Sequence, residues 1–376
     1  MVGRVVYQLE IDCQRTLPGK KKHNTTIYDI ANRVGVSPST VSRVLSGASH
    51  SVSAQVRDRV QKAAWEMNYI PNAQARYLKT RNNPSIGILV PSIENPFYPS
   101  IVCGAAEVAA ERGYFIYLIS CNRDYVRIDQ QVQSLLELNV KGIISVYQDT
   151  LTPSLENFVV RGGKLVSLSG YSFYFDGAYN LRTDKTEEAK IAMRHLLGLG
   201  HRKIAIFMDE MNCNVRFEKV EGYRQTLQEA GIPVREDYIY VYGTDCGERD
   251  SFDWKDVEEG DTFVERLLER TPEVTAILCM NDIIALGVCA ALRSRGYRVP
   301  EDYSVMGFDN AFFSNYCNPT ITTVALERCK WGRALMKYLL DIIESPDPPA
   351  PSDAASDTLL PPVYLIERES TGAPRE

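Results

Sequence analysis

Long apolar runs are missing from this chain. Nowhere in its 376 residues do about 18 apolar positions follow one another, so no helical membrane span is expected. The opening segment MVGRVVYQLEIDCQRTLPGKKKHN has no uninterrupted apolar stretch, because Gln8, Glu10 and Asp12 break it, and a signal peptide is not expected. Histidine is scarce, with four residues and no pair at metal-ligand spacing. The nine cysteines form no CxxC pair, and several (Cys103, Cys279, Cys289) sit in apolar runs. Such an odd, scattered set fits reduced, buried thiols in a cytosolic protein rather than a disulfide framework. No GxGxxG opens a helix, and there is neither a Walker-type phosphate loop nor a GxSxG elbow. No catalytic constellation is therefore visible, and neither cofactor nor metal is expected. His201, in LGHRKIAIF, reads as a helix cap rather than a catalytic base.

What is present is an ordinary globular composition, 44% hydrophobic and 24% charged, on a chain long enough for two or three domains. The net charge of −6 is unevenly spread. From Lys20 to Asn82, eleven Lys and Arg face only Asp29, Asp58 and Glu66, a surplus of eight, whereas the residues from 83 onward carry a deficit of fourteen. A cationic front on an anionic body points to a front segment that binds a polyanion.

Within that front, Ile27, Ile30, Ala31 and Val34 fall on one face of a helix. Gly35 permits a sharp turn, Ser37 is an N-cap, and Pro38 occupies the first helical position, where its missing N–H costs nothing. Val41, Val44 and Leu45 form the inner face of a second helix and leave Ser39, Thr40 and Arg43 outside. A third helix begins at Ser53 and buries Val56, Val60, Ala63 and Met67. A displayed second helix of this length fits a major groove: Arg43 can donate two hydrogen bonds to a guanine edge, Ser39 and Thr40 can reach bases or phosphates, and Tyr28 a phosphate. The alternative is a helical hairpin with a solvated polar face. Further on, Ala73 to Thr80 can make about two helical turns, too short to be stable alone. Leu78, among Arg76, Lys79 and Arg81, either wedges into a minor groove or packs on the body as part of a linker.

From Pro84 onward strands alternate with helices. SIGILVPS, YFIYLIS, KGIISVY and KLVSLSG read as strands of one series, and RKIAIFMDE, YIYVYG, VTAILCM and DYSVMGFDN as strands of a second. Two strings of βα units predict two parallel-sheet lobes with helices on both faces, and a ligand site at the carboxyl ends of the strands, between the lobes. ESPDPPAPSDAASD reads as a surface loop before a last strand in PPVYLIERES.

Taken together, TTIYDIANRVGVS, TVSRVLSG and YIPNAQARYLKT resemble the DNA-binding segment of the lactose-repressor family of bacterial transcription regulators. The likeness continues through PSIENPFYPSIVCGAAEVAAERGY, LLGLGHRKIAIF, EGYRQTLQEAGI, TAILCMNDIIALGVCAALRSRGYRVPEDYSVMGFDN and PTITTV, and covers about residues 25 to 370. It implies an α/β fold class: a small all-α helix–turn–helix headpiece plus a two-lobed, periplasmic-binding-protein-like effector domain of parallel βα units. The expected organisation is an extension over 1–23, a headpiece over 24–70, a hinge helix or linker over 71–82, and an effector-binding and dimerisation domain over 83–376. The residues of the first segment read either as a disordered tail or as the product of an upstream start codon.

The resemblance implies a cytoplasmic homodimer that binds double-stranded operator DNA and a small-molecule effector, most simply a carbohydrate. DNA contacts are expected from Thr26, Tyr28, Pro38, Ser39, Thr40, Arg43, Ala75, Leu78 and Lys79. The alternatives are a solute-binding module and a sugar-acting enzyme. Effector contacts are expected from Phe97, Tyr98, Ser169, Arg216, Lys219, Trp254 and Asp282. Three departures bear on them. Ser169 stands where the family often has Asp, and Lys219 where it usually has Arg, so a planar bidentate fork is lost unless Arg216, one turn earlier, substitutes. The acidic segment GTDCGERDSFDWKDVEEGD is longer than the family's usual loop, and Trp254 in it either stacks on a sugar face or anchors the loop. Asp282, after a buried strand, either accepts from a ligand or caps the helix that follows.

Overall fold

The computed structural model describes residues 25–45, 52–69, 83–121, 124–147, 152–170, 177–209, 214–242, 255–348 and 359–375. It divides into two units, Met1–Asn82 and Asn83–Glu376.

In the first unit, α1 (Ile27–Val34), α2 (Pro38–Leu45) and α3 (Ala54–Glu66) share one small core. Its centre is Ile30, Ala31, Val34, Val41, Val44, Val60, Ala63 and Ala64, with Val56 and Met67 packed at its margin. Each fully buried aliphatic side chain there contributes roughly 1.5–3 kcal/mol. Gly35 ends α1 at φ 71°, the left-handed conformation that turns the chain into α2. Two of the cations hold this core together: Arg33 pairs with Glu66, and Arg59 donates to the Val34 carbonyl, tying α1 to α3.

In the second unit, strands β1 (Ser85–Val90), β2 (Phe115–Ser120), β3 (Gly142–Val146), β4 (Lys164–Gly170) and β5 (Tyr179–Thr183) form an all-parallel sheet in the order β2-β1-β3-β4-β5. Between them run α4 (Phe97–Glu111), α5 (Tyr125–Glu137) and α6 (Pro153–Val160). The period-two alternation of a strand buried on both faces is visible in β1: Ile86, Ile88 and Val90 enter the core beneath α4, while Leu89 joins the core formed by α5 and α6.

A second sheet holds β6 (Ile204–Met208), β7 (Ile239–Val241), β8 (Ala276–Cys279), β9 (Ser304–Asp309), β10 (Thr322–Ala325) and β11 (Tyr364–Ile366), in the order β11-β10-β9-β8-β6-β7. Only β11 is antiparallel. One face is covered by α7 (Lys185–Gly198) and α8 (Asn214–Glu229), the other by α9 (Lys255–Arg270) and α10 (Asp282–Ser294).

The chain crosses from the first lobe to the second between β5 and α7. It returns at α11 (Arg328–Glu344), whose Trp331, Leu335, Met336 and Leu339 complete the first lobe's core, before β11 rejoins the second sheet. Against α4, α11 packs backbone to backbone. A Cβ at Gly104 would stand 2.0 Å from the Cys329 carbonyl oxygen, and one at Gly332 would stand 1.9 Å from that of Ile101.

The described cysteines are all free; Cys121, Cys279 and Cys289 are buried as expected, but Cys103 lies on the outer face of α4 and is exposed. His201 does not cap a helix. It is fully buried, meets Thr275 Oγ1 at 2.9 Å through Nδ1, and donates from Nε2 to the Gly372 carbonyl at 2.9 Å, fastening the C-terminal segment to the second lobe. No helix among the described residues is long and apolar enough to cross a membrane.

The glycine contact yields a stability prediction. Gly332→Ala adds helix propensity but drives a methyl into backbone that cannot retreat, so the net effect is a loss of about 1–3 kcal/mol. Urea unfolding of the variant checks this; a melt equal to or above that of the parent chain contradicts the crossing geometry.

Candidate functional site

At the front, sequence chemistry fixes a displayed helix. Thr26 and Asp29 form a reciprocal capping box: the Asp29 N–H donates to Thr26 Oγ1 at 3.4 Å and the Thr26 N–H to Asp29 Oδ2 at 2.7 Å. Ser37 caps α2 by accepting from the Thr40 N–H at 3.2 Å, and its hydroxyl also meets those of Ser39 at 2.7 Å and Thr40 at 2.9 Å. Thr26, Tyr28, Ser39 and Arg43 are exposed, whereas Pro38 and Thr40 are half-buried. The α2 face opposite Val41 and Val44 therefore presents hydroxyls and a guanidinium, the groups that read groove edges and phosphates. Ala75, Leu78 and Lys79 lie outside the described residues.

In the body, a cavity of about 80 Å³ opens between the lobes at the carboxyl ends of the strands, lined by Asn95, Phe97, Tyr98, Tyr147, Lys185, Asp209, Val215, Arg216, Lys219, Met280, Asn281 and Asp309. Phe97 and Tyr98 enter from the start of α4, which the Asn95 side chain fixes by accepting from the Phe97 N–H at 2.9 Å. Their rings meet edge to face at 5.1 Å, and Phe97 also touches the ring of Tyr147, 5.8 Å away.

The charged groups of this cavity are unusually well buried. Arg216 is clamped bidentately by Asp209, so its fork is occupied rather than offered to a ligand. Lys185 pairs with Glu188 at 2.6 Å, both nearly sealed from water, and lies 4.9 Å from the centre of the Tyr147 ring. Burial alone would lower its ammonium pKa, but Glu188 and Tyr147 outweigh that and raise it. Lys219 donates to the Met280 carbonyl at 3.1 Å and stands 3.6 Å from the centre of the Phe308 ring. Burial holds its pKa below the ordinary lysine value, against the pull of Glu188 and Asp309. Asp309 is raised by burial, opposed by Lys219, Arg328 and Lys185. Burial pushes the Tyr147 phenol up to about 12, and its oxygen meets Thr183 Oγ1 at 3.1 Å.

Backbone strain collects at the same place. Tyr147 (φ 49°), Asp309 (φ 95°) and Asn310 (φ 51°) adopt left-handed conformations immediately after or at the ends of β3 and β9, each at a cost of about 1–3 kcal/mol.

The expected residues thus separate. Phe97, Tyr98, Arg216 and Lys219 line the cavity. Ser169 does not: it is buried within β4, where its carbonyl accepts from Thr183 Oγ1 at 3.3 Å. Asp282 does not either, nor is it the cap. The cap of α10 is Asn281, which accepts from the Ile284 N–H at 2.8 Å and itself lines the cavity. The Asp282 carboxylate is buried, and Ala311 N–H, Ser314 Oγ and Thr323 Oγ1 all donate to it at 2.6–2.8 Å. These three donors fix its direction. Trp254 lies outside the described residues. The residues not anticipated are Asn95, Tyr147, Lys185, Asp209, Asn281 and Asp309; Asp209 and Asp309 follow or end buried strands, which is the signal that would have found them. Among the described residues no cluster of His, Cys, Asp or Glu could hold a metal ion.

Comparison with known proteins agrees with this architecture. Residues 26–72 match the family of bacterial regulatory proteins, lacI family, and residues 193–371 match the periplasmic binding protein-like domain. The HTH-type transcriptional repressor PurR of Vibrio atlanticus is 30% identical over 326 residues, covering 86% of this chain and 93% of that protein. The crystal structure of the Lac repressor dimer bound to operator and the anti-inducer ONPF superposes with a TM-score of 0.74 at 25% identity, covering 93% of this chain and 99% of that one. A lacI-family regulator from Enterococcus faecium with bound ribose gives a TM-score of 0.65 at 27% identity, over 77% and 99% of the two chains. The chain belongs to the lacI family of bacterial regulatory proteins. It is a sequence-specific DNA-binding transcriptional regulator and not an enzyme.

Asp282 also generates a pH prediction. Burial, followed by the charge of Asp309, raises its pKa from 3.8 to about 7, although Ser314, Thr323 and Ala311 pull the other way. Between those two values the unfolded chain loses this proton and the folded chain keeps it, so the contribution to stability falls as pH rises and is gone above about 7. Asp282→Asn removes that titration. Urea-unfolding stability measured from about pH 4 to about 7 is expected to decline less in the variant than in the parent. Parallel pH profiles contradict the assignment.

Proposed function

We propose that this protein is an operator-binding repressor whose grip on DNA is set by a sugar or sugar derivative held between the two lobes. The observation that carries this reading is the cavity at the carboxyl ends of both sheets, to which one lobe supplies Phe97, Tyr98 and Tyr147 and the other Lys219, Asn281 and Asp309. Aromatic faces alongside amide and carboxylate groups suit a polyol. At about 80 Å³ the cavity is smaller than sites that enclose small ligands, so a sugar enters by parting the lobes. Binding and lobe angle are then one equilibrium, and DNA is coupled to it through the hinge segment 71–82.

The protein works as a homodimer, in the cytoplasm and on the nucleoid. Edge strand β2 supports the pairing: Phe115, Tyr117 and Leu118 are 62%, 37% and 43% exposed, an apolar edge that a second copy would cover. Two headpieces on a two-fold axis read a pseudo-palindromic operator. Arg43, Ser39 and Thr40 face the major groove, with Thr26 and Tyr28 on phosphates. Leu78, flanked by Ala75 and Lys79, opens the central minor groove.

Fluorescence anisotropy with labelled duplexes tests this. Affinity is expected to fall steeply with salt, to drop by about 1–3 kcal/mol with relaxed selectivity in Arg43→Ala, and to drop in Leu78→Ala without change in sugar affinity. Salt-insensitive binding, or equal loss of sugar and DNA affinity in Leu78→Ala, overturns it.

A further inference from the structure

The effector cavity has more positive charge than its own carboxylates cancel. Among the described residues that line it, Lys185, Arg216 and Lys219 face Asp209 and Asp309. Behind that lining, among the described residues, stand Glu188 on Lys185 and Asp282 within reach of the Asp309 charge, and two further cations, Arg328, 6.0 Å from the centre of the Phe97 ring, and Arg368, which donates to Asn310 Oδ1 at 2.6 Å. The set of five cations and four carboxylates is left with one positive charge in excess.

The excess can be located. Arg216 is spent on Asp209 and Lys185 on Glu188. Lys219, 3% exposed, makes no ion pair among the described residues, and its ammonium meets the Met280 carbonyl and the Phe308 ring. Arg328 donates from one Nη to the Asn310 carbonyl at 2.7 Å, while its other Nη is buried with no hydrogen-bond acceptor among the described residues. A buried ammonium without an ion pair and a buried guanidinium nitrogen without an acceptor, both acting on the one carboxylate of Asp309, are costly in the unliganded protein. An anion supplied by the ligand relieves both costs at once.

We propose that the effector is an anionic sugar carrying one carboxylate, a uronic or aldonic acid, whose carboxylate is received by Lys219 with Arg328 behind it, while Asp309 and Asn281 take its hydroxyls. This rests on the reading of the cavity as the effector site. A single surplus charge matches a monoanion; a phosphate ester brings up to two charges into a site that balances one. A neutral sugar leaves the surplus where it is.

The test is a thermal-shift and calorimetric comparison on the full chain. The probes are glucose, galactose and ribose, their acids glucuronate, galacturonate, gluconate and ribonate, and the esters glucose 6-phosphate and ribose 5-phosphate. At least one carboxylated sugar is expected to raise the melting temperature, and its neutral counterpart is not. Lys219→Gln is expected to weaken that binding by at least about tenfold, and Lys219→Arg, which keeps the charge, to retain most of it. If Lys219→Gln does not fold, as judged by its own unliganded melt, Arg328→Gln carries the same comparison with the same expected loss.

Binding of a neutral sugar, unaffected by Lys219→Gln, overturns the anionic assignment and leaves the cleft as the effector site. Response to the phosphate esters alone overturns the choice of carboxylate. Response to none of the probes overturns this proposal together with the sugar-effector reading. Carboxylate binding indifferent to both variants overturns the role given to Lys219 and Arg328.

Discussion

Keeping charge out of water at the junction of two lobes is the constraint around which the body is arranged. Lys185, Glu188, Arg216 and Lys219 are each at most 4% exposed, and together with Asp209 and Asp309 they sit where parallel strands of both sheets end. Such groups are tolerated only when held by partners, and those partners come from both lobes or from the crossing segments. Lys185 follows the first crossing and reaches the Tyr147 ring of the other lobe, while Arg328 opens the returning helix and holds the Asn310 carbonyl at the end of β9. A change in lobe angle therefore changes the surroundings of several charges together, and a ligand that alters their balance alters that angle. The left-handed conformations of Tyr147, Asp309 and Asn310 at the same strand ends add strain to this seam.

The rest of the body supplies stiffness. Helices α4 and α11 meet at Gly104 and Gly332 with no room for a methyl group, so the returning segment is bound into the first lobe as part of its core. The His201 bridge to Gly372 fastens the chain's last segment to the second lobe in the same way.

Much of this was legible in the sequence, because the physics involved is local. The apolar spacing of Ile27, Ile30, Ala31 and Val34, the turn at Gly35 and the cap at Ser37 specified the front helices. The buried strands announced themselves as continuous apolar runs bounded by helical periodicity. Two strands escaped: β5, spelled YNLRT, and β10, spelled TTVA, are too short and too polar to stand out, and owe their conformation to pairing with β4 and β9. The site was harder, since side-chain direction is not written in the spacing. Asp282 and Asn281 are neighbours at the start of one helix, and only the donors Ala311, Ser314 and Thr323, some thirty to forty residues away, turn the carboxylate inward and leave the amide in the cleft. Lys185 gave no sign in the letters, because a lysine in a first helical turn normally points to water; a carboxylate one turn on and the rings of Tyr147 and Trp331 hold it inside.

The central claim is that the anionic two-lobed body governs the grip of the cationic head on DNA, and reciprocity of binding tests it most directly. The affinity of the full chain for the sugar that most raises its melting temperature should be measured by calorimetry, free and saturated with operator duplex. Two different affinities are expected, whose ratio equals the ratio of operator affinities measured with and without that sugar. The same sugar affinity in both states would contradict it.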